Sequence, residues 1–134
     1  MLGTARTLKE DARDLIEKRI GEICQGIAAT YGGSSEVNYE RMYPVLNNDP
    51  EFTERVKKLT EEMFPDDTLY LENPTMGGED MAFFLKEIPG TYIFMSNVKA
   101  HSDGVRYPNH NSKFDLEESE FYKSIAIFLA TVVV

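Results

Sequence analysis

A chain of 134 residues, 42% of them hydrophobic, is long enough to bury a core as one ordinary domain and too apolar to stay disordered. Its net charge of −9 argues against nucleic acid as a partner, because a phosphate binder needs a basic surface. The longest apolar stretch, Ile125 to Val134, is too short to cross a bilayer, so no membrane partner is expected. The single cysteine, Cys24, excludes an internal disulfide and a thiolate metal cluster. No charged-then-apolar segment opens at Met1, so the expected setting is cytoplasmic.

In chain order, MLGTART reads as the end of a strand, and TLKE at 7–10 reads as a capping box. In it Thr7 would accept from the first helical amides while Glu10 reaches back. Leu8, Ala12, Leu15, Ile16, Ile20, Ile23, Ile27 and Tyr31 recur at three- and four-residue steps, which predicts one apolar stripe on a helix over 8–31. Cys24 falls among the isoleucines as a small core filler. Gly32 and Gly33 then suit a left-handed C-cap. Val37, Tyr39 and Tyr43 alternate with polar residues, predicting a half-buried strand over 36–43 that Pro44 stops. The segment 44–48 is the predicted domain boundary.

Asp49 as N-cap and Pro50 at the first helical position open a second helix over 50–63, with Phe52, Val56, Leu59 and Met63 as its buried stripe. A short strand is expected at 68–72, a loop over NPTMGGED, a short helix near 80–87 and an apolar strand at 91–96. Residues 97–113 show no periodicity, and a loop that long in a compact domain is commonly functional or mobile. It leads to Asp115, the expected cap of a final helix over 116–132, with Glu118 at the third position. That helix is apolar nearly all round from Ile125 onward, so cover on more than one side is expected.

Two stretches could carry chemistry. In MGGEDMAFF, Gly77 and Gly78 leave backbone N–H groups free ahead of a helix start, where a carboxylate or phosphate would be favoured. The plainer alternative is a tight turn with Asp80 as a cap. In YPNHNSKFD, His110 could be a hydrogen-bonded surface residue or one ligand of a metal site. Such a site needs at least three protein ligands, and His101 is the one other histidine, nine residues upstream in the same loop.

The order of GTART, the capped helix, YPVLNNDPEFTE, MGGEDMAFFL, PGTYIF and HNSKFDLEE resembles the C-terminal portion of the two-zinc amidohydrolase and metallopeptidase family. It is most similar to that family's branch of hippurate hydrolases, N-acyl-amino-acid amidohydrolases and auxin-conjugate hydrolases, from Gly3 to about Glu118. The resemblance implies a mixed α/β (α+β) chain. Residues 1–44 would be the back half of a lid, or dimerisation, domain, and residues 45–134 the C-terminal segment of a zinc-hydrolase catalytic domain. It further implies an N-acyl amino acid or peptide substrate, two zinc ions in the complete enzyme and a homodimer. His110 would ligate one zinc, and Gly77, Gly78 and Glu79 would lie beside the substrate. Arg6, at the end of a lid strand, gains no catalytic role, and His101 has no counterpart in the family pattern. The family's remaining zinc ligands and its catalytic glutamate belong to segments that nothing in these 134 residues matches. Hydrolysis by the chain alone is therefore not expected, and the alternative is a non-catalytic dimerisation or interaction module.

Overall fold

A computed structural model describes residues 1–68, 71 and 73–133. Its elements are α1 (Glu10–Thr30), α2 (Pro50–Met63), α3 (Met81–Glu87), a single 3-10 turn (Glu118–Glu120) and α4 (Phe121–Val133). They fall into two compact units, one of Met1–Asn48 with Tyr70–Pro89 and the other of Asp49–Leu69 with Gly90–Val134.

In the first unit α1 dominates, and it ends where the sequence predicts. Gly32 adopts φ +69°, which only glycine takes without strain, and its N–H donates to Ala29 C=O at 3.0 Å. The Gly33 N–H donates to Ala28 C=O at 2.9 Å, completing a Schellman cap that satisfies two otherwise orphaned carbonyls. The start of α1 differs from expectation. Lys9 occupies the N-cap position with no side-chain cap bond, so the box on Thr7 does not form. Glu10 instead accepts from the Val45 N–H at 3.3 Å, a contact with a distant segment that takes it out of the reciprocal cap.

The neighbouring segment is extended but is not a strand. Among the described residues, β-pairing is confined to two isolated bridges, Val98 with Leu116 and Ala100 with Arg106. The strands predicted at 36–43 and 91–96 are thus corrected to segments that form no strand, because a strand exists only through a ladder to a neighbour. The strand expected at 68–72 falls largely outside the described residues. Arg41 fastens 36–43 to α1 instead. Its Nη2 lies 2.6 Å from an Asp14 oxygen, its Nε donates to Glu17 at 2.5 Å, and these carboxylates, Glu17 first, raise its pKa. Pro44 is buried at the end of this segment, and Tyr43 meets Phe83 of α3 edge to face, with ring centroids 6.1 Å apart. Ala82, 1% exposed, is the buried apolar centre of this unit.

The apolar stripe of α1 is helical as predicted, yet no residue of α1 is buried. Leu15 is 59% exposed and Ile27 58%, and Cys24 is half-exposed rather than a core filler. Helical periodicity places these side chains on one face, but burial needs an opposing surface.

In the second unit α2 packs against α4, burying Val56 and Ile127. Asp49 caps α2 as expected, its Oδ1 accepting from Phe52 N–H at 2.7 Å, with Pro50 at N1. The Asp49 N–H also donates to Gly90 C=O at 2.9 Å, and Thr53 Oγ1 reaches Thr91 Oγ1 at 3.1 Å, so this helix start is tied to the 90–91 segment. At the other end Phe64 and Tyr122 stack edge to face at 6.1 Å, and Lys123 bridges Asp67, at 2.7 Å, and Glu120. These carboxylates, Asp67 first, hold the Lys123 ammonium well above its ordinary pKa.

Asp115 does not cap the last helix. Its carbonyl accepts from Lys99 N–H at 2.9 Å and its side chain from Leu116 N–H at 2.9 Å, so Glu117 precedes the 3-10 turn instead. Nor is α4 covered on several sides. Phe128 is 72% exposed and Val132 83%, whereas Ile127 is buried. No helix among the described residues is long and apolar enough to cross a membrane.

Removing the one side-chain cap on α2 tests these assignments. Asp49→Ala leaves the Phe52 N–H without its acceptor and should cost about 1 kcal/mol, read as a lowered urea midpoint with an unchanged slope.

Candidate functional site

The glycine loop lies in the first unit. Gly77 faces open space, whereas a Cβ at Gly78 would come within 3.1 Å of Tyr43 Cδ2, so a side chain there would require that ring to shift slightly. Glu79 is half-buried, and its carbonyl accepts from Ala82 N–H at 3.3 Å. Asp80 occupies the N-cap of α3 through its backbone, its carbonyl accepting from Phe83 N–H at 3.0 Å.

His110 lies in the second unit, in a loop more ordered than its composition suggests. Lys99 and Asp115 pair at the base, as do Glu117 N–H and Asn97 C=O at 2.8 Å. Inside this closure His101 N–H donates to Val105 C=O at 2.9 Å around a turn at Asp103–Gly104, with Gly104 at φ +78°. Asp103 accepts twice, from Val105 N–H at 3.0 Å and from Tyr107 Oη at 2.7 Å. The His101 ring meets the half-buried Tyr107 ring edge to face at 5.8 Å. On the far side Lys113 Nζ donates to Tyr107 Oη at 3.3 Å and lies 5.0 Å from that ring's centroid, within cation–π range.

Between Tyr107 and Lys113 the chain makes a turn closed by Asn111 N–H to Pro108 C=O at 3.2 Å. His110 sits in it with an exposed imidazole and φ +69°, left-handed backbone in a residue that carries a Cβ. Such a conformation costs about 1–2 kcal/mol and needs surrounding structure to hold it. Asn111 contributes by accepting from Lys113 N–H at 2.9 Å.

Of the predicted site residues, Gly77, Gly78 and Glu79 form one local group and His110 another. Asp103, Tyr107 and Lys113 were missed. The Asp-Gly pair at 103–104 is the signal that would have found the inner hairpin. Among the described residues no group of three or more His, Cys, Asp or Glu side chains is disposed to hold a metal ion. One exposed imidazole is a fitting first donor but does not amount to a site, which needs at least two more protein ligands.

Residues 6–133 match the peptidase family M20/M25/M40. The chain belongs to this family. It is 34% identical to a putative amidohydrolase, YhaA, of Bacillus subtilis over 118 residues, covering 88% of this chain and 30% of that protein. It is 36% identical to thermostable carboxypeptidase 1 of Saccharolobus solfataricus over 119 residues, covering 88% of this chain and 29% of the carboxypeptidase. An N-acetyldiaminopimelate deacetylase of Lacticaseibacillus casei shares 35% identity over 95 residues, covering 69% of this chain and 24% of the deacetylase. No solved structure matches the chain. As a member of the M20/M25/M40 family, the chain spans about 30% of the length of its amidohydrolase and carboxypeptidase relatives.

Two outcomes follow from the local geometry. The Tyr107 hydroxyl, and then the Val105 amide, hold the Asp103 carboxyl below its ordinary pKa, with His101 adding a smaller effect. A carboxyl lowered in the folded state stabilises the fold above its unfolded value, and that stability is lost as pH falls through the folded value. Wild type should therefore exceed Asp103→Asn in urea midpoint at neutral pH, and the gap should close on acidification below about pH 4. Separately, Gly78→Ala should shift the Tyr43 ring resonances in NMR spectra, whereas Gly77→Ala should leave them in place.

Proposed function

We propose that this chain is part of a zinc-dependent amidohydrolase or peptidase that cleaves N-acyl-amino-acid or peptide amide bonds. In this reading the chain is inactive until companion segments supply the remaining ligands. The observation that carries it is the family match over residues 6–133 together with His110, exposed on an ordered turn within the motif HNSKFD. The activities that name these relatives, amidohydrolase, carboxypeptidase and deacetylase, share hydrolysis of an amide bond. Residues 1–44 are read as the back half of a lid and 45–134 as the closing segment of a catalytic domain. The extended segments 36–43 and 91–96 would become strands of a mixed α/β fold on meeting partner strands.

In the complete enzyme His110 would hold one zinc as a neutral imidazole, and Gly77, Gly78 and Glu79 would approach the substrate. Bound zinc supplies Lewis acidity toward the amide carbonyl and a low-pKa water. The residues of this chain bind and orient. The enzyme would be cytoplasmic and homodimeric, with neither nucleic acid nor membrane as a partner.

The uncovered apolar faces of α1 and α4 favour a second reading, a non-catalytic dimerisation or interaction module. Light scattering tests both readings together without separating them, because both expect assembly and a clean monomer at high concentration counts against both. The decisive experiment places this chain in thermostable carboxypeptidase 1 of Saccharolobus solfataricus in exchange for the matching segment. Zinc-dependent peptide hydrolysis should persist in the chimera. With His110→Ala it should fall by more than the roughly 10- to 100-fold that loss of a ligand's hydrogen-bond partner costs. Undiminished hydrolysis by that variant removes His110 from the metal site.

A further inference from the structure

The Asp103, Tyr107 and Lys113 side chains meet across the base of the turn that carries His110. Tyr107 immediately precedes the Pro108–Asn111 turn and Lys113 follows two residues after it, and their side chains touch through the Tyr107 oxygen at 3.3 Å. This contact closes the turn from both ends. It is anchored in turn, because Tyr107 Oη donates to Asp103 at 2.7 Å and Asp103 is fixed by the Val105 N–H at 3.0 Å. The inner hairpin that holds Asp103 is closed by backbone bonds of His101 and Gly104, so the anchor does not depend on the His110 turn itself.

We propose that Asp103, Tyr107 and Lys113 are positioning residues that clasp the His110 turn and hold its backbone in one conformation. The chemistry suits the task. The hydroxyl donates to a carboxylate that is ionised at neutral pH and accepts from an ammonium, so each link has one charged partner. The ammonium also stands against the tyrosine ring, which favours the same closed geometry. His101 completes the wall, its ring edge to face with Tyr107. His101 thereby acquires a packing role. The clasp builds on the proposed ligand role of His110 but is a separate statement about the conformation of the loop.

The test uses the whole chain without metal, reading backbone amide order parameters at His110 and Asn111. In the wild type these should lie near the rigid value of about 0.85, and in Tyr107→Phe they should fall below about 0.6. That substitution deletes the shared oxygen and keeps the ring. Lys113→Met should loosen the same two amides, and Lys113→Arg, which keeps a cation and a donor, should restore them. Amides of α2 and α4 should stay unchanged in all three, which separates a local clasp from general loss of structure. Order parameters at His110 that match wild type in both Tyr107→Phe and Lys113→Met overturn the proposal. In the carboxypeptidase chimera, Tyr107→Phe should also weaken zinc affinity by roughly 10- to 100-fold. If the amides loosen while zinc affinity holds, the clasp stands and the ligand role of His110 falls.

Discussion

Burial of apolar surface is the interaction that ordinarily keeps a helix in place, since isolated helices of these lengths are marginal in water. Within the described residues it is scarce: Val56, Ala82 and Ile127 are the buried hydrophobic side chains. Each compact unit is therefore organised around little buried apolar surface, Ala82 with the neighbouring Tyr43–Phe83 pair in one and Val56 and Ile127 on the packed helices α2 and α4 in the other. Around these residues polar ties do much of the arranging. Arg41 holds an extended segment to α1, Asp49 joins the start of α2 to Gly90, and Lys123 links α4 to the chain after α2.

The exposed faces follow from the same scarcity. A 21-residue helix with no buried residue, and a last helix with Phe128 and Val132 in solvent, present far more apolar surface than their own chain covers. The family relation gives this surface a context, since the match spans about 30% of the length of the amidohydrolase and carboxypeptidase relatives.

The loop around His110 is organised by different forces. It buries little and relies on closely spaced hydrogen bonds, two positive-φ residues and a tyrosine shared by a carboxylate and an ammonium. Short-range bonds of this kind need no large core, so an exposed imidazole can be held in a specific backbone conformation even where packing is thin.

Helix positions were legible in the sequence because they rest on local rules. The apolar spacing of α1, the Gly32–Gly33 cap and the Asp49–Pro50 start depend on residues within a turn or two of each other. The M20/M25/M40 relation was legible too, through the order of its motifs. The structure decided what spacing cannot encode. Thr7 and Asp115 lost their expected capping roles because Glu10 and Asp115 bond to distant segments. The 36–43 and 91–96 segments form no strand because a ladder requires a second strand. Asp103, Tyr107 and Lys113 converge only once two turns bring residues several positions apart into contact. Local propensity is written in neighbouring residues, whereas cover, pairing and convergence are properties of whatever surface the folded chain places opposite.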